Sequence, residues 1–358
     1  MAVTIIHCAD LHFDSPFAGL DSPQKAEVRR EELRQAFGRI VALAAEEKAD
    51  ALLIGGDLFD QSAASAETLR YLKEKLDTIP QIPVFISAGN HDPNTPGSYY
   101  RILDWGEHVH VFSTEIDKIE CKGFDIYGVS FAAQDEPESK LAGFCAENGE
   151  KINIMLMHAD IGGTYNPITR QEISESGLDY LALGHIHQYS GSMQFGNTTA
   201  VYPGCPEGRG FDELGEKGAV KAVISKESVQ VEFIPLCRRR YHEIAVDVSG
   251  AGNYETLCGR ILLAMDATAE DLYKIVLTGE AEFPIQAAVV LENLPCFMAK
   301  IKDETKPKLD LDMLKEEYTL KGIFVRTLLE QAGENDETAR LALSYGLEAL
   351  SGEKVKLP

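Results

Sequence analysis

The sequence has no closely spaced pair of cysteines. Its seven cysteines lie far apart along the chain, and none belongs to a C-x-x-C motif. An odd, scattered set does not form a disulfide framework or a zinc knuckle. We therefore expect reduced, mostly buried thiols, as in a cytoplasmic protein.

Long apolar runs are also missing. No stretch approaches the roughly 20 apolar residues that a membrane-spanning helix requires, so we expect no association with a membrane. The opening residues, MAVTIIHCAD, form too short an apolar run for a signal peptide and end in His and Asp. Both absences predict a cytoplasmic location.

Positive charge is scarce as well. The 358 residues include 34 Lys and Arg against 57 Asp and Glu, which gives a formal net charge of −23. Such a surface disfavours nonspecific binding to nucleic acid, so a polyanionic substrate needs a local positive site, metal ions or a partner. The one tight basic cluster, Arg238–Arg240 in CRRRYH, is interpreted as a solvated domain junction, with a DNA contact as the alternative.

Strand and helix patterns alternate over the first ninety residues. Three apolar segments, VTIIHC, ALLI and IPVFIS, each end in polar residues, and helical patterns at 22–50 and 65–79 separate them. This alternation predicts βαβ units and a parallel sheet. Ligands of such sheets gather beyond the carboxyl ends of the strands. Later segments, KINIMLMH and YLALG, repeat the pattern of a buried strand that ends in polar residues.

A domain boundary is predicted near residue 237. Alternating, antiparallel patterns precede it, and a mixture of strand and helix patterns follows. We predict one domain at 1–237 and a small α+β domain at 238–358. Two amphipathic helical stretches end the chain, one carrying apolar residues from Leu311 to Leu328 and one running from about Glu337 to Leu350. They are ordinary packing helices or a docking surface for another protein.

Five predicted strand ends carry metal-binding groups. They are D-x-H at 10–12, G-D-x-x-D at 56–60, G-N-H-D at 89–92, His158, and G-H-x-H at 184–187. The two histidines of the last motif point to the same side of the chain, since side chains alternate along a strand. Nitrogen and oxygen ligands without sulfur suit Mn, Fe, Zn or Co better than Ca or Mg. Seven such ligands are too many for one ion and suit two ions that share a carboxylate.

In this order, the motifs resemble the signature of the calcineurin-like metallophosphoesterases. The resemblance implies a two-sheet α/β sandwich with a small C-terminal α+β capping domain, and two divalent ions, most simply Mn²⁺. Carried over by position, it assigns Asp10, His12, Asp57 and His187 to the first ion and Asp57, Asn90, His158 and His185 to the second. It also implies that His91 meets the phosphate and that Asp92 orients the His91 ring, and Asp60 is interpreted as a structural turn or helix cap.

The segments HCADLHFDSPF, LLIGGDLFD and VYPGCPEGRGFDELGEKGAV resemble bacterial DNA-repair exonucleases of the SbcD type, in the YhaO-like branch. This resemblance implies a manganese-dependent DNA exonuclease and endonuclease of double-strand-break repair. It also implies a homodimer and a partner, a coiled-coil ATPase of the SbcC type. Hydrolysis would use a hydroxide that bridges two ions about 3.5–4 Å apart. Arg209 would approach a substrate phosphate, or else lie in a surface turn.

Two other functions remain open. The acidic charge is compatible with a phosphodiesterase that acts on nucleotides or other small phosphodiesters. A metal-binding scaffold without catalysis is a further alternative, which the presence of His91 beside all seven ligands disfavours.

Overall fold

A computed structural model of the chain describes residues 2–60, 63–147, 149–265, 270–292, 294–308, 311–332 and 337–350. The chain divides into two compact units. Unit 1 comprises Met1–Ile244, Asp266–Lys274 and Pro295–Lys300, and unit 2 comprises Ala245–Met265, Ile275–Leu294 and Ile301–Pro358. Within the described ranges, no helix is both long and apolar enough to cross a bilayer.

Two six-stranded sheets form the body of unit 1. In spatial order, the first contains β14 (Val229–Pro235), β13 (Gly218–Ile224), β1 (Val3–Cys8), β2 (Ala51–Ile54), β3 (Val84–Ile86) and β4 (Val109–Val111). The second contains β11 (Met193–Phe195), β12 (Thr198–Val201), β10 (Tyr180–Gly184), β7 (Ile152–His158), β6 (Phe124–Val129) and β5 (Asp117–Glu120). Strands β1 to β4 are parallel, as are β6, β7, β10 and β12, whereas β13, β14, β11 and β5 pair antiparallel at sheet margins. The predicted two-sheet α/β fold is confirmed.

Apolar side chains on both faces of the central strands bind the layers together. In β7, Ile154 and Leu156 belong to the core between the two sheets. Met155 and Met157 belong to a second core on the outer face of the same sheet, as expected for buried methionines. Because successive side chains of a strand point to opposite faces, a strand buried on both sides reads as a continuous apolar run.

Two helices cover the outer face of the first sheet, α1 (Pro23–Glu46) and α2 (Ala66–Leu76). Ser22 caps α1 by accepting a hydrogen bond from the Lys25 backbone N–H. The helix ends earlier than the predicted residue 50, because Lys48 adopts a left-handed φ of +50° that does not continue a helix. Two shorter helices of unit 1 are α3 (Tyr99–Ile102) and α4 (Arg170–Glu175).

The remaining strands form small sheets. A two-stranded ribbon of β8 (Asp160–Ile161) and β9 (Pro167–Ile168) follows β7. A three-stranded sheet contains, in spatial order, β15 (Tyr241–Asp247), β16 (Leu272–Thr278) and β18 (Met298–Asp303). In unit 2, β17 (Glu280–Ala281) pairs with β19 (Lys306–Pro307).

Unit 2 contains five helices among its described residues. They are α5 (Tyr254–Ala264), α6 (Ala287–Leu291), α7 (Leu311–Glu316), α8 (Leu320–Ala332) and α9 (Glu337–Leu350). The predicted final helix is confirmed as α9. The helical stretch before it is interrupted between α7 and α8, where Tyr318 is fully exposed, although the apolar spacing continues through it. Val325 and Leu329 of α8 pack against Leu343 and Leu347 of α9.

Replacing Leu156 by alanine should destabilise unit 1 by about 2–5 kcal/mol, because the change leaves a cavity between the two sheets. The free energy of unfolding in urea can be followed through the fluorescence of Trp105, the single tryptophan, which is buried in unit 1. Ile102→Ala is the matched control, since the Ile102 side chain is 65% exposed and little apolar contact is lost. Equal effects of the two changes would contradict the packing described here.

Candidate metal centre

The predicted metal-binding side chains converge at the carboxyl ends of parallel strands. His12 follows β1 and His187 follows β10, yet their Nε2 atoms are 3.3 Å apart. Asp57 follows β2, and its Oδ2 lies 3.4 Å from His12 Nε2 and 3.6 Å from His158 Nε2. The Asp57 carboxylate therefore lies close to histidines at strand ends of both sheets. The face-to-face packing of the sheets brings their strand ends together.

The other predicted ligands complete these two groups. Asp10 Oδ1 lies 3.7 Å from His187 Nε2, on the side of His12. Asn90 Oδ1 lies 3.0 Å from His158 Nε2, and the His185 and His158 ring centroids are 5.1 Å apart. We name the side chains of Asp10, His12, Asp57 and His187 the first half-site. Those of Asp57, Asn90, His158 and His185 form the second half-site.

A left-handed backbone turns several of these side chains inward. Positive φ angles occur at Asp10 (55°), His12 (47°), Asp57 (50°) and His185 (108°). Such angles are uncommon outside glycine, and Asp and His tolerate them better than most residues. Hydrogen bonds from Asp10 N–H to Gly56 O (3.0 Å) and from His12 N–H to Asp57 O (2.8 Å) hold the first two turns together.

The donor set has the chemistry of a cation site. His12 Nδ1 is 3.0 Å from Asp60 Oδ1, and His187 Nδ1 is 2.7 Å from Glu213 Oε1, so each Nδ1 carries the proton that it donates to a carboxylate. In the neutral form of both rings the Nε2 lone pairs then face each other. Burial opposes ionisation of His187, but the hydrogen bond to Glu213 and the nearby Asp10 outweigh it and raise the His187 pKa. His158 Nδ1 likewise donates to Gly55 O over 2.9 Å, which leaves the His158 Nε2 lone pair opposite Asn90 Oδ1. A cation between two such acceptor atoms removes their mutual repulsion. The side chains of both half-sites therefore fit metal ions.

Burial keeps most of these imidazoles neutral. It lowers the pKa of His158 to about 4 and also lowers the pKa values of His12 and His185. Near pH 7 these rings are unprotonated at one nitrogen, and a metal ion therefore meets little competition from protons.

Burial acts in the opposite direction on the acidic groups. It raises the pKa of Asp10 to about 7, and the neighbouring Asp57 charge adds to this effect. Burial also opposes ionisation of Asp57, but the imidazoles of His158, His12 and His91 outweigh it and lower the Asp57 pKa. The adjacent Cys8 thiol has its pKa raised by burial, so it is protonated and no nucleophile.

The carboxylate beside His91 is that of Asp60. Asp60 Oδ1 lies 2.9 Å from His91 Nδ1, in addition to its contact with His12. The expectation that Asp92 orients this ring does not match the geometry, because the buried Asp92 carboxylate accepts hydrogen bonds from Gly89 N–H (2.7 Å) and Tyr100 O–H (2.6 Å). Asp92 therefore organises the backbone beneath the ligands. Asp60, expected to be only a turn or cap residue, is the group that contacts the ring.

This contact has an electrostatic consequence. The hydrogen bond to Asp60 raises the pKa of His91. Burial opposes ionisation of Asp60, but hydrogen bonds from His12 and His91 outweigh it and lower the Asp60 pKa. The last residue of the G-D-x-x-D motif, Asp60, was thus the sequence signal for the partner of His91. The contact between Glu213 and His187, which are 26 positions apart, had no such signal in the sequence.

The predicted basic cluster is neutralised by acidic partners. Arg239 Nε lies 2.8 Å from Glu32 Oε1, and Arg240 Nη2 lies 2.9 Å from Glu216 Oε1. Arg238 is the most exposed of the three, and its Nη2 lies 3.8 Å from a carboxylate oxygen of Glu270. Arg209, by contrast, is not in a free surface turn, because its Nη2 lies 3.0 Å from His187 Nδ1.

Replacing Gly89 by alanine should disrupt the shared carboxylate. A Cβ at this position would lie 2.2 Å from Asp57 Oδ1, so the ligand must move, at a cost of about 1–3 kcal/mol. Gly97→Ala is the matched control, because a Cβ there meets nothing within 4 Å. Thermal unfolding and Mn²⁺ titration of both variants check this expectation, and normal Mn²⁺ binding by Gly89→Ala would contradict it.

Comparisons with known proteins agree with this arrangement. The profile of the calcineurin-like phosphoesterases matches residues 3–189, just over half of the chain. The chain is 31% identical over 272 residues to the uncharacterized metallophosphoesterase YhaO of Bacillus subtilis, covering 71% of this chain and 65% of that one. It is 26% identical over 237 residues to the DNA double-strand break repair protein Mre11 of Methanopyrus kandleri, covering 60% of this chain and 51% of that one.

The chain thus spans less than two thirds of the length of either relative. Among solved structures, the chain is similar to a dimetal phosphatase from Danio rerio, with 10% sequence identity and a TM-score of 0.39. The similarity covers 65% of this chain and 99% of that one. The profile match covers the strand ends that carry the two half-sites, up to His187. The chain belongs to the calcineurin-like phosphoesterase family, whose members are phosphoester hydrolases that bind two divalent metal ions.

Proposed function

We propose that the chain is a manganese-dependent DNA exonuclease and endonuclease of the SbcD type, acting in double-strand-break repair. The observation that carries the phosphodiesterase chemistry is the pair of half-sites that share Asp57, with His91 beside them. The narrower assignment to DNA is supported by the similarity to Mre11 and by the SbcD-like segments between residues 7 and 220. Fold alone does not define a substrate.

In this proposal, the side chains of the first half-site would hold one ion and those of the second half-site the other, and Asp57 belongs to both sets. Bound ions would supply Lewis acidity, which polarises the phosphoryl group and makes water more acidic. Mn²⁺ suits the mixture of imidazole, amide and carboxylate ligands, as would Fe, Zn or Co.

His91 is the proposed general acid. Its side chain is 46% exposed, so a substrate can reach it, while its backbone N–H donates to Asp57 Oδ1 over 2.9 Å and fixes its position beside the shared carboxylate. Protonated through the influence of Asp60, the ring can donate a proton to the leaving oxygen or stabilise negative charge there. Asp92 contributes by holding the N–H groups of the turns that carry Asp57 and Gly89.

Partners supply what this acidic chain lacks for binding DNA. A net charge of −23 and the pairing of Arg239 and Arg240 with carboxylates leave little attraction for a polyanion. We propose a homodimer, in the cytoplasm, that works with a coiled-coil ATPase of the SbcC type. The segment 238–358 is the proposed capping and partner-docking domain.

A second candidate function is hydrolysis of nucleotides or other small phosphodiesters. The acidic charge favours it, because a small substrate can reach the two half-sites without an extended basic surface. A scaffold without catalysis is less favoured, since His91 and Asp60 are both in place.

Cleavage assays on metal-free protein with Mn²⁺ added back test the proposal. Linear duplex DNA, single-stranded DNA and a chromogenic small phosphodiester are compared, with and without the candidate ATPase. We expect DNA degradation that requires Mn²⁺ and is lost in His91→Ala. Cleavage of the small ester alone would replace the nuclease by the second candidate. Inactivity on all three with metal bound would favour the scaffold.

The pH profile should respond to Asp60→Asn. The acid form of His91 is present below its pKa and lost as the pH rises through it, so its titration defines the alkaline limb of the rate profile. Since the hydrogen bond to Asp60 raises the His91 pKa, Asp60→Asn should move that limb to lower pH at saturating Mn²⁺. Asp117→Asn, an exposed change in β5, is the control and should leave the limb in place. A limb unmoved in Asp60→Asn would refute this role.

A further inference from the structure

Glu213 makes a buried contact with a proposed ligand of the first half-site. It lies in the segment 205–217, named here the support loop, and its side chain is only 6% exposed. Glu213 Oε1 is 2.7 Å from His187 Nδ1 and 3.0 Å from Arg209 Nη2. Its other oxygen accepts a hydrogen bond from the Arg209 backbone N–H over 2.7 Å. Both carboxylate oxygens are thus used in directional contacts.

The contact determines which nitrogen of His187 carries the proton. Arg209 Nη2 also lies 3.0 Å from His187 Nδ1, so the arginine could donate to this nitrogen if it carried a lone pair. In that case, however, the Glu213 oxygen would face a lone pair at 2.7 Å, which is repulsive. A proton on Nδ1 satisfies Glu213, while Arg209 donates to the same carboxylate. The His187 Nε2 lone pair is then directed towards Asp10 and His12.

We infer that Glu213 is a positioning residue for His187, which fixes the metal-binding tautomer of the ring and strengthens its Nε2 as a donor to the ion of the first half-site. The inference rests on the proposed metal centre but not on DNA as the substrate. A carboxylate that accepts from the far nitrogen of a ligating imidazole makes that imidazole a better ligand.

The support loop is built to hold this contact in place. Lys217 Nζ, itself buried, donates to His187 O and to Gln188 Oε1, each over 2.9 Å. Cys205 N–H donates to His187 O over 3.2 Å. The loop therefore holds His187 by its ring and by its backbone.

A buried ion pair anchors the same loop to helix α1. Arg29 Nη2 donates to Glu207 Oε2 over 2.9 Å and to Gly208 O over 2.7 Å, and both charged side chains are inaccessible to solvent. Removing one partner would leave the other buried without its counter-charge, so both side chains are expected to be needed for the position of the loop against α1. The second half-site is backed differently, because His158 Nδ1 donates to the neutral Gly55 carbonyl.

Mn²⁺ titration calorimetry on the metal-free full chain tests the role of Glu213. We expect Glu213→Ala to weaken one of the two binding steps by about 10–100-fold and leave the other within about threefold. Glu213→Gln should lie between Glu213→Ala and the unchanged protein, since its amide oxygen can still accept from Nδ1. Glu216→Gln is the matched control, because Glu216 pairs with Arg240 at the surface, and it should bind as the unchanged protein does.

Nitrogen-15 NMR of histidine-labelled, metal-free protein supplies a readout on the unchanged protein, and no Glu213 variant has to fold for it. At about pH 9, where imidazoles are neutral, we expect His187, assigned by its loss in His187→Asn, to carry its proton on Nδ1. A proton on Nε2 would overturn the inference, as would unchanged Mn²⁺ binding by a folded Glu213→Gln and Glu213→Ala pair. Equal weakening of both binding steps would assign Glu213 a structural role instead and overturn it too. If the unchanged protein binds Mn²⁺ in two steps but does not cleave DNA, the proposed nuclease function fails, while the inference about Glu213 is unaffected.

Discussion

Convergence of imidazole and carboxylate groups around the buried Asp57 is the constraint on which the candidate metal centre depends. The Nε2 atoms of His12 and His187 are 3.3 Å apart, and the Asp57 carboxylate lies beside them with little access to water. Charges and lone pairs of this kind are costly to bury unless opposite charge compensates them. The fold therefore brings together acceptor groups that bound cations would compensate.

The fold can hold this group because the proposed ligands lie at or just after the ends of buried strands. One apolar core lies between the two six-stranded sheets, and one more lies on the outer face of each sheet. None of the proposed ligands belongs to these cores. Left-handed turns at Asp10 and Asp57 then direct carboxylates away from the strand axes. The N–H groups around these turns are satisfied by Asp92 and by neighbouring carbonyls, so the strained backbone is supported by hydrogen bonds.

Two carboxylates that do not belong to the half-sites contact the histidine rings of the centre and orient them. Asp60 contacts the rings of both His12 and His91, which links a proposed ligand to the proposed general acid. Glu213 makes a comparable contact with the ring of His187. The family chemistry requires only such a centre, whereas the choice between DNA and a small phosphodiester depends on surfaces and partners beyond it.

The sequence by itself determined the parts of this protein that depend on local pattern. Apolar runs ending in polar residues predicted the strands and the edge at which their ligands meet, and helical spacing predicted α1, α2 and α9 closely. Such patterns are readable because side-chain periodicity follows backbone geometry over a few residues. Only the tertiary structure decided which carboxylate meets which ring. Asp92 is adjacent to His91 in the chain, yet the turn directs it towards Tyr100, while Asp60 arrives from another strand. Glu213 reaches His187 through a loop whose path is set by a buried ion pair with α1. The G-D-x-x-D motif offered Asp60 as a candidate, but the ring that each carboxylate meets depends on how distant segments pack, which local spacing does not encode.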